Sequence, residues 1–164
     1  MQRIVSLLMI ASLFSNLLDA DTLEIGSPAP QVSAMDHEGN AIDLGAALGD
    51  GISVVFFYPK AMTPGCTAQA CSLRDAWDDL QARGVTIFGI SADTAKTQAA
   101  FRDKYQLPFI LIADRDQAVS KAFGKGRWSR QAYIFKDGKL VWRDLKAATS
   151  KQAADVLAAL ESIK

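Results

Sequence analysis

The sequence has no excess of charge of either sign. Eighteen lysines and arginines balance eighteen aspartates and glutamates, and no block of like charges stands out, so the electrostatic footprint of a nucleic-acid-binding surface is missing. Histidine is nearly absent: His37 is the only one, and with two cysteines, Cys66 and Cys71, the chain falls short of a structural zinc site. Four residues separate the cysteines, which excludes a C-x-x-C redox motif. Internal repeats, low-complexity tracts and linkers are lacking, and 164 residues suffice for one ordinary domain but not two.

A long stretch without charge occurs only at the N-terminus, where Arg3 is followed by residues 4–18 and the first acid is Asp19. Ser6, Ser12, Ser15 and Asn16 interrupt this stretch, which falls short of the roughly 18 apolar residues of a spanning helix and reads as a secretory leader. The expectation is a leader over residues 1–20 and one domain over residues 21–164. Such a domain is secreted or periplasmic and has no stable membrane association once the leader is removed. That compartment is oxidising, so a static disulfide is one available reading of the cysteine pair.

Along the remaining chain the apolar residues follow two periods. The runs "ISVVFFY" (52–58) and "VTIFGIS" (85–91) are continuously β-branched and aromatic, the pattern of strands buried on both faces. Over residues 67–83, Ala70, Leu73, Trp77 and Leu80 recur at three- and four-residue steps, predicting one helix stopped by Gly84. Further helices are expected over 94–105, 117–123 and 150–162, with a short strand over 109–112. The Gly/Pro-rich segment from Ile25 reads as an extended stretch and a small hairpin turning at Glu38-Gly39-Asn40 on one sheet edge, with His37 an exposed turn residue. Late in the chain "QAYIF" and "LVWRDL" flank Asp137-Gly138, which suits a tight hairpin turn. Strand-helix alternation closed by a hairpin and a helix defines an α/β domain with a mixed central sheet flanked by helices.

The chemistry concentrates where the first buried strand ends. Cys66 follows the loop "PKAMTPG" and opens a helix, and free N–H groups and the positive end of a helix dipole favour a thiolate over a thiol. Pro59 and Pro64 restrict the loop, Gly65 permits a conformation that a side chain would hinder, and Thr63 offers a hydroxyl to the same spot. On an ideal helix Cys66 and Cys71 have Cα atoms roughly 8.7 Å apart, beyond the roughly 7 Å that a disulfide tolerates. Joining them requires the first turns of the helix to unwind, which argues against a permanent bridge and suits a catalytic cycle. Arg74 reads as a solvated charge, Trp77 as core and Trp128 as a loop aromatic capping the core. A thiol-disulfide oxidoreductase and a non-catalytic domain with a static disulfide are the rival readings.

The run Pro59-x-x-x-Thr63-x-x-Cys66 resembles the active-site signature of the peroxiredoxins. The segment "FYPKAMTPGCTAQACSLRD" resembles their bacterioferritin-comigratory, or PrxQ, branch, in which a resolving cysteine lies five residues after the peroxidatic one. The resemblance extends over nearly everything after the leader and implies a thioredoxin-like fold with an N-terminal hairpin extension. It implies a peroxidase in which Cys66 is peroxidatic, Cys71 resolving, Thr63 a hydrogen-bond partner of the peroxide, and Pro59 a shield against water. Gln69 matches a position that helps to hold a catalytic arginine, and Arg130 is chosen for that arginine over Arg127 because its spacing to "AYIF" fits the family pattern. The resemblance further implies a peroxide substrate, a thioredoxin-like or other thiol reductant, no metal or organic cofactor, and a monomer.

Overall fold

The computed structural model describes residues 22–163; the leader expected over residues 1–20 lies outside them. Seven strands, β1 (Ser33–Asp36), β2 (Ala41–Asp43), β3 (Ile52–Phe57), β4 (Val85–Ser91), β5 (Ile110–Ala113), β6 (Gln131–Lys136) and β7 (Lys139–Asp144), form one sheet in the order β2-β1-β5-β4-β3-β6-β7. The inner strands β3, β4 and β5 run parallel, and β6 and β1 join them antiparallel on either side. This is the mixed sheet that the alternation of elements predicts. Around it pack α1 (Leu44–Ala47), α2 (Pro64–Asp75), α3 (Trp77–Ala82), α4 (Ala95–Tyr105), α5 (Ala118–Ala122) and α6 (Gln152–Ser162).

The continuous apolar run of β3 serves two cores because successive side chains point to opposite faces. Val54, Phe56 and Tyr58 pack with Leu73, Leu80, Phe101, Val156 and Leu160 of α2, α3, α4 and α6. Val55 and Phe57 pack on the other face with Leu44, Val119, Phe123, Tyr133 and Phe135. Phe56 and Phe57 are each essentially fully buried, and each burial contributes about 2 kcal/mol. Aromatic edges lock the second face: Phe123 meets Phe57, Tyr133 and Phe135 with centroids 5.0, 5.1 and 5.9 Å away.

Several details differ from the sequence expectation. The single helix over 67–83 is two, α2 and α3, separated at Ala76. Alanine is a strong helix former, so local propensity gives no warning. The break accompanies tertiary contacts on both sides: the Arg74 guanidinium donates to Tyr105 O at 2.8 Å, and Trp77 tilts against Phe109 at 6.3 Å. Arg74 is therefore a tie between α2 and α4 as well as a partly exposed charge, paired with Asp75 at 2.7 Å. His37 is half-buried, its Nδ1 accepting the backbone N–H of Leu111 at 3.3 Å and prolonging the β1–β5 ladder. Trp128 is 67% exposed and does not cap the core; Arg127 lies over its ring at 5.1 Å.

The hairpin turn at Asp137-Gly138 has both residues at positive φ, 49° and 76°, as a tight two-residue turn requires. The extended N-terminal segment reaches both edges of the sheet. Its hairpin β1–β2 adds to β5 as expected, while Gly26 and Ala29 donate to Leu140 O and Gly138 O beside β7 at 2.7 and 2.8 Å.

Gly89 sits opposite Phe56 in the β3–β4 ladder, and a Cβ there would lie 2.7 Å from both Leu111 Cδ2 and Phe56 Cζ. Substitution of Gly89 by alanine is expected to lower stability by about 1–3 kcal/mol. Gly126→Ala, which meets open space, is expected to stay within about 0.5 kcal/mol. Urea titration of both variants checks the difference.

Candidate active site

The site forms where β3 ends. After Tyr58 the chain turns through Pro59, and Ala61 N donates to Asp93 Oδ2 at 2.7 Å, pinning the loop to the end of β4. Ser91 Oγ donates to the same carboxylate at 2.8 Å. Beneath the loop, the Tyr58 hydroxyl donates to Gln98 Oε1 at 2.6 Å, while Gln98 Nε2 donates to Ser91 Oγ at 3.0 Å and Ile112 O at 2.8 Å. Burial holds the Tyr58 phenol far above its ordinary range, so this hydroxyl stays protonated and donating. Met62 takes φ 65° and Thr63 returns to extended backbone as the N-cap of α2, with Pro64 opening the helix.

Thr63 makes no side-chain cap; its hydroxyl donates to Lys60 O at 2.8 Å. Two consequences follow. The first N–H groups of α2 have no intrahelical acceptor and remain uncommitted. The Thr63 oxygen, its proton committed to Lys60, keeps its acceptor capacity.

Cys66 lies in the first turn of α2, 2% exposed, and Arg130 enters from the start of β6 with Nη2 3.5 Å from Cys66 Sγ. Gly65 leaves room for this approach: a Cβ there would meet Arg130 Nη2 at 3.3 Å, a little tight, and Thr149 Cγ2 at 3.5 Å. Arg130 Nη1 also donates a short hydrogen bond to Gln69 Oε1. Gln69 Nε2 in turn donates to Gln152 Oε1 on α6 at 2.7 Å. Arg127 points away, onto Trp128. Among the residues named from sequence, Cys66, Arg130, Gln69 and Gly65 are thus in mutual contact or close approach, with Thr63 and half-buried Pro59 on the adjoining loop.

Cys71 is half-buried on the same helix, and both cysteines are free. Burial pushes the Cys71 thiol up; Arg74 opposes this and Asp75 adds to it. At neutral pH it is a neutral thiol. Among the described residues no cluster of three or more His, Cys, Asp or Glu is placed to hold a metal, and no helix is long and apolar enough to cross a membrane.

Two contributors escaped the sequence reading. Asp93, which anchors the loop, follows a parallel strand at its C-terminal end, the place where α/β sheets gather ligand-binding loops. Gln152 sits in register with Val156 and Ala159 on the buried stripe of α6, and a polar residue in an apolar register was the available signal.

A buried sulfur beside a guanidinium, at the start of a helix with uncommitted amides, is an arrangement for nucleophilic chemistry in which negative charge develops on the partner. Comparison with known proteins gives the same class. The chain belongs to the AhpC/TSA family, whose model matches residues 25–143. It is similar to peroxiredoxin Bcp of Escherichia coli, 41% identical over 70% of this chain and 71% of that one. Among solved structures it resembles peroxidoxin BcpB of Mycobacterium tuberculosis (TM-score 0.79, 29% identity, 87% of this chain and 99% of that one). A peroxiredoxin Q structure from Xanthomonas campestris matches at TM-score 0.77 and 27% identity, over 90% of this chain and all of that one. The fold is the thioredoxin-like fold of these peroxiredoxins, and the enzyme is a thiol-dependent peroxidase.

The loop delivering Arg130 begins at Lys125, 8% exposed, whose Nζ donates to Gly126 O at 2.8 Å and lies 5.1 Å from the centre of the Phe57 ring. Burial pulls its ammonium down to about 8, with Asp114 opposing. Between that value and the ordinary lysine value of about 10.4, the unfolded chain binds more protons than the folded one, so this group makes stability rise with pH. Cys71 and Tyr133, both held up by burial, act in the opposite sense at higher pH. The difference between wild type and Lys125→Met therefore isolates the lysine. From pH 8 to 10 the urea midpoint of wild type is expected to rise relative to that of K125M, and parallel curves would refute the assignment.

Proposed function

We propose that Cys66 is the peroxidatic cysteine and Cys71 its resolving partner, in a cycle that reduces hydrogen peroxide and small organic hydroperoxides. The observation that carries this reading is the Arg130 guanidinium 3.5 Å from the buried Cys66 sulfur. In the first step the Cys66 sulfur attacks the distal peroxide oxygen and the O–O bond breaks. The leaving oxygen takes a proton and departs as water or alcohol, and Cys66 becomes a sulfenic acid. Charge grows on both oxygens as that bond stretches, and Arg130 with the first-turn amides of α2 stabilises it where it appears. The peroxide hydroxyl donates to Thr63 Oγ1, and Pro59 keeps bulk water from the sulfur.

In the second step Cys71 attacks the Cys66 sulfur, forming the disulfide and releasing water. Two thiols of a thioredoxin-like or other reductant then return both cysteines to thiols and leave as a disulfide. The net reaction consumes one peroxide and two reductant thiols and serves antioxidant defence. A relative from Xanthomonas campestris is described by its alkyl peroxide reduction activity, which supports extending the substrate class beyond hydrogen peroxide.

Because α2 carries both cysteines, the second step needs its first turns open. In stopped flow, Cys66→Ser is expected to abolish peroxide consumption. Cys71→Ser is expected to retain the first oxidation within about threefold but lose turnover with a thioredoxin-like donor. Peroxide consumption by C66S at the wild-type rate would defeat the reading. Amide hydrogen exchange supplies the second check: protection over residues 66–72 is expected to fall on oxidation, and unchanged protection would remove helix opening from the cycle.

A further inference from the structure

We propose that Gln152, on α6, is a positioning residue for the peroxide step: through Gln69 it fixes Arg130 against Cys66 and makes that contact conditional on a closed α2. The inference rests on the reading of Cys66 as the peroxide-reactive cysteine. An arginine offers only N–H donors, so Gln69 must present its carbonyl oxygen to Arg130 Nη1. Its amide nitrogen is thereby turned toward α6, where it needs an acceptor. Gln152 Oε1 is that acceptor at 2.7 Å, and with both glutamines 0% exposed solvent does not substitute. The orientation leaves Gln152 Nε2 buried without a partner, a costly arrangement. An apolar residue at 152 would continue the stripe of Val156, Ala159 and Leu160 without it. The glutamine therefore serves the relay and not the core.

Conditionality follows from where Gln69 sits. It lies between Cys66 and Cys71, within the turns that must open for the two sulfurs to meet, so opening withdraws it from Arg130 and Gln152 together. Just beyond, Leu73 is fully buried, Ala153 N donates to Ser72 Oγ at 3.0 Å and Arg74 is tied to Tyr105 O. The helix is thus held at its C-terminal half, and the relay is the polar tie within the opening part.

Quench-flow mass spectrometry of the reduced full chain, with hydrogen peroxide as probe, separates Cys66 oxidation from disulfide formation. Gln152→Met is expected to slow the first step about tenfold and leave the second as fast or faster. Gln152→Glu, which keeps an acceptor oxygen toward Gln69, is expected to stay within about threefold of wild type in the first step. In a Gln69→Met background the Q152M change is expected to add less than about twofold, because its effect travels through Gln69. Ser72→Ala, which cuts only the neighbouring α2–α6 tie, is expected to keep the first step within about twofold. Should Q152M not fold, Gln152→Asn, which withdraws the amide by one methylene, takes its place with the same expected loss. An unchanged first step in Q152M (or in Q152N where it takes its place), an equal loss in S72A, a slowing of both steps together, or a full loss persisting in the Q69M background would each overturn the proposal. Wild type whose Cys66 resists peroxide would overturn the functional reading itself, an outcome distinguishable in the same experiment.

Discussion

A guanidinium held against a sulfur that water barely reaches is the contact on which the other features of the site converge. Electrostatic interaction at such a place is screened far less than at the surface, so small errors in placement are expensive. The fold spends several devices on it. Gly65 clears the approach, Ala147 N donates to Arg130 O at 3.0 Å to fix the backbone that carries it, and Gln69 holds the other end of its fork. The loop on the far side is fixed independently through Asp93 and the Tyr58–Gln98–Ser91 network. Sulfur and guanidinium are thus each held from more than one element.

The same helix carries both cysteines and holds them apart. With four residues between the two sulfur-bearing positions, α-helical geometry puts them too far apart to bond. Cys71 remains a neutral, half-buried thiol for as long as α2 keeps its shape. Toward its C-terminal end α2 is anchored by Leu73, Ser72 and Arg74 in core, α6 and α4, and nearer its start by Cys66 and Ala70 in the core and by Gln69 on Gln152.

Much of this was legible in the sequence, for identifiable reasons. The buried strands announced themselves by continuous β-branched and aromatic runs, and the two hairpins by their turn residues. The position of Cys66 at a strand-to-helix junction marked the site, and the spacing to Cys71 carried its own geometric argument. What was not legible depended on tertiary partners. Nothing local marks Ala76 as a helix break, and Arg74 looks like any exposed arginine until Tyr105 is brought beside it. His37 sits in a turn as expected, yet its ring takes the place of a ladder carbonyl. Choosing between Arg127 and Arg130 needed a family pattern, because both are isolated charges in one loop; three-dimensional placement separates them by their neighbours, Trp128 for one and Cys66 for the other.

The extended segment preceding β1 touches the molecule at two distant places, bonding to the outside of β7 through Gly26, Ser27 and Ala29 before folding into the β1–β2 hairpin. On one side the sheet is thereby covered at the beginning of its edge strand, around Gly138 to Leu140, and on the other it ends in a strand of three residues. Unpaired strand rims are templates for adding further chains and so for aggregation. In a protein whose proposed cycle loosens a helix over the sheet at every turnover, exposed rims would be a hazard renewed with each round of catalysis. The N-terminal segment bears no side chain of the site, yet by capping part of that rim it is suited to keep the molecule from adding further chains during the proposed cycle.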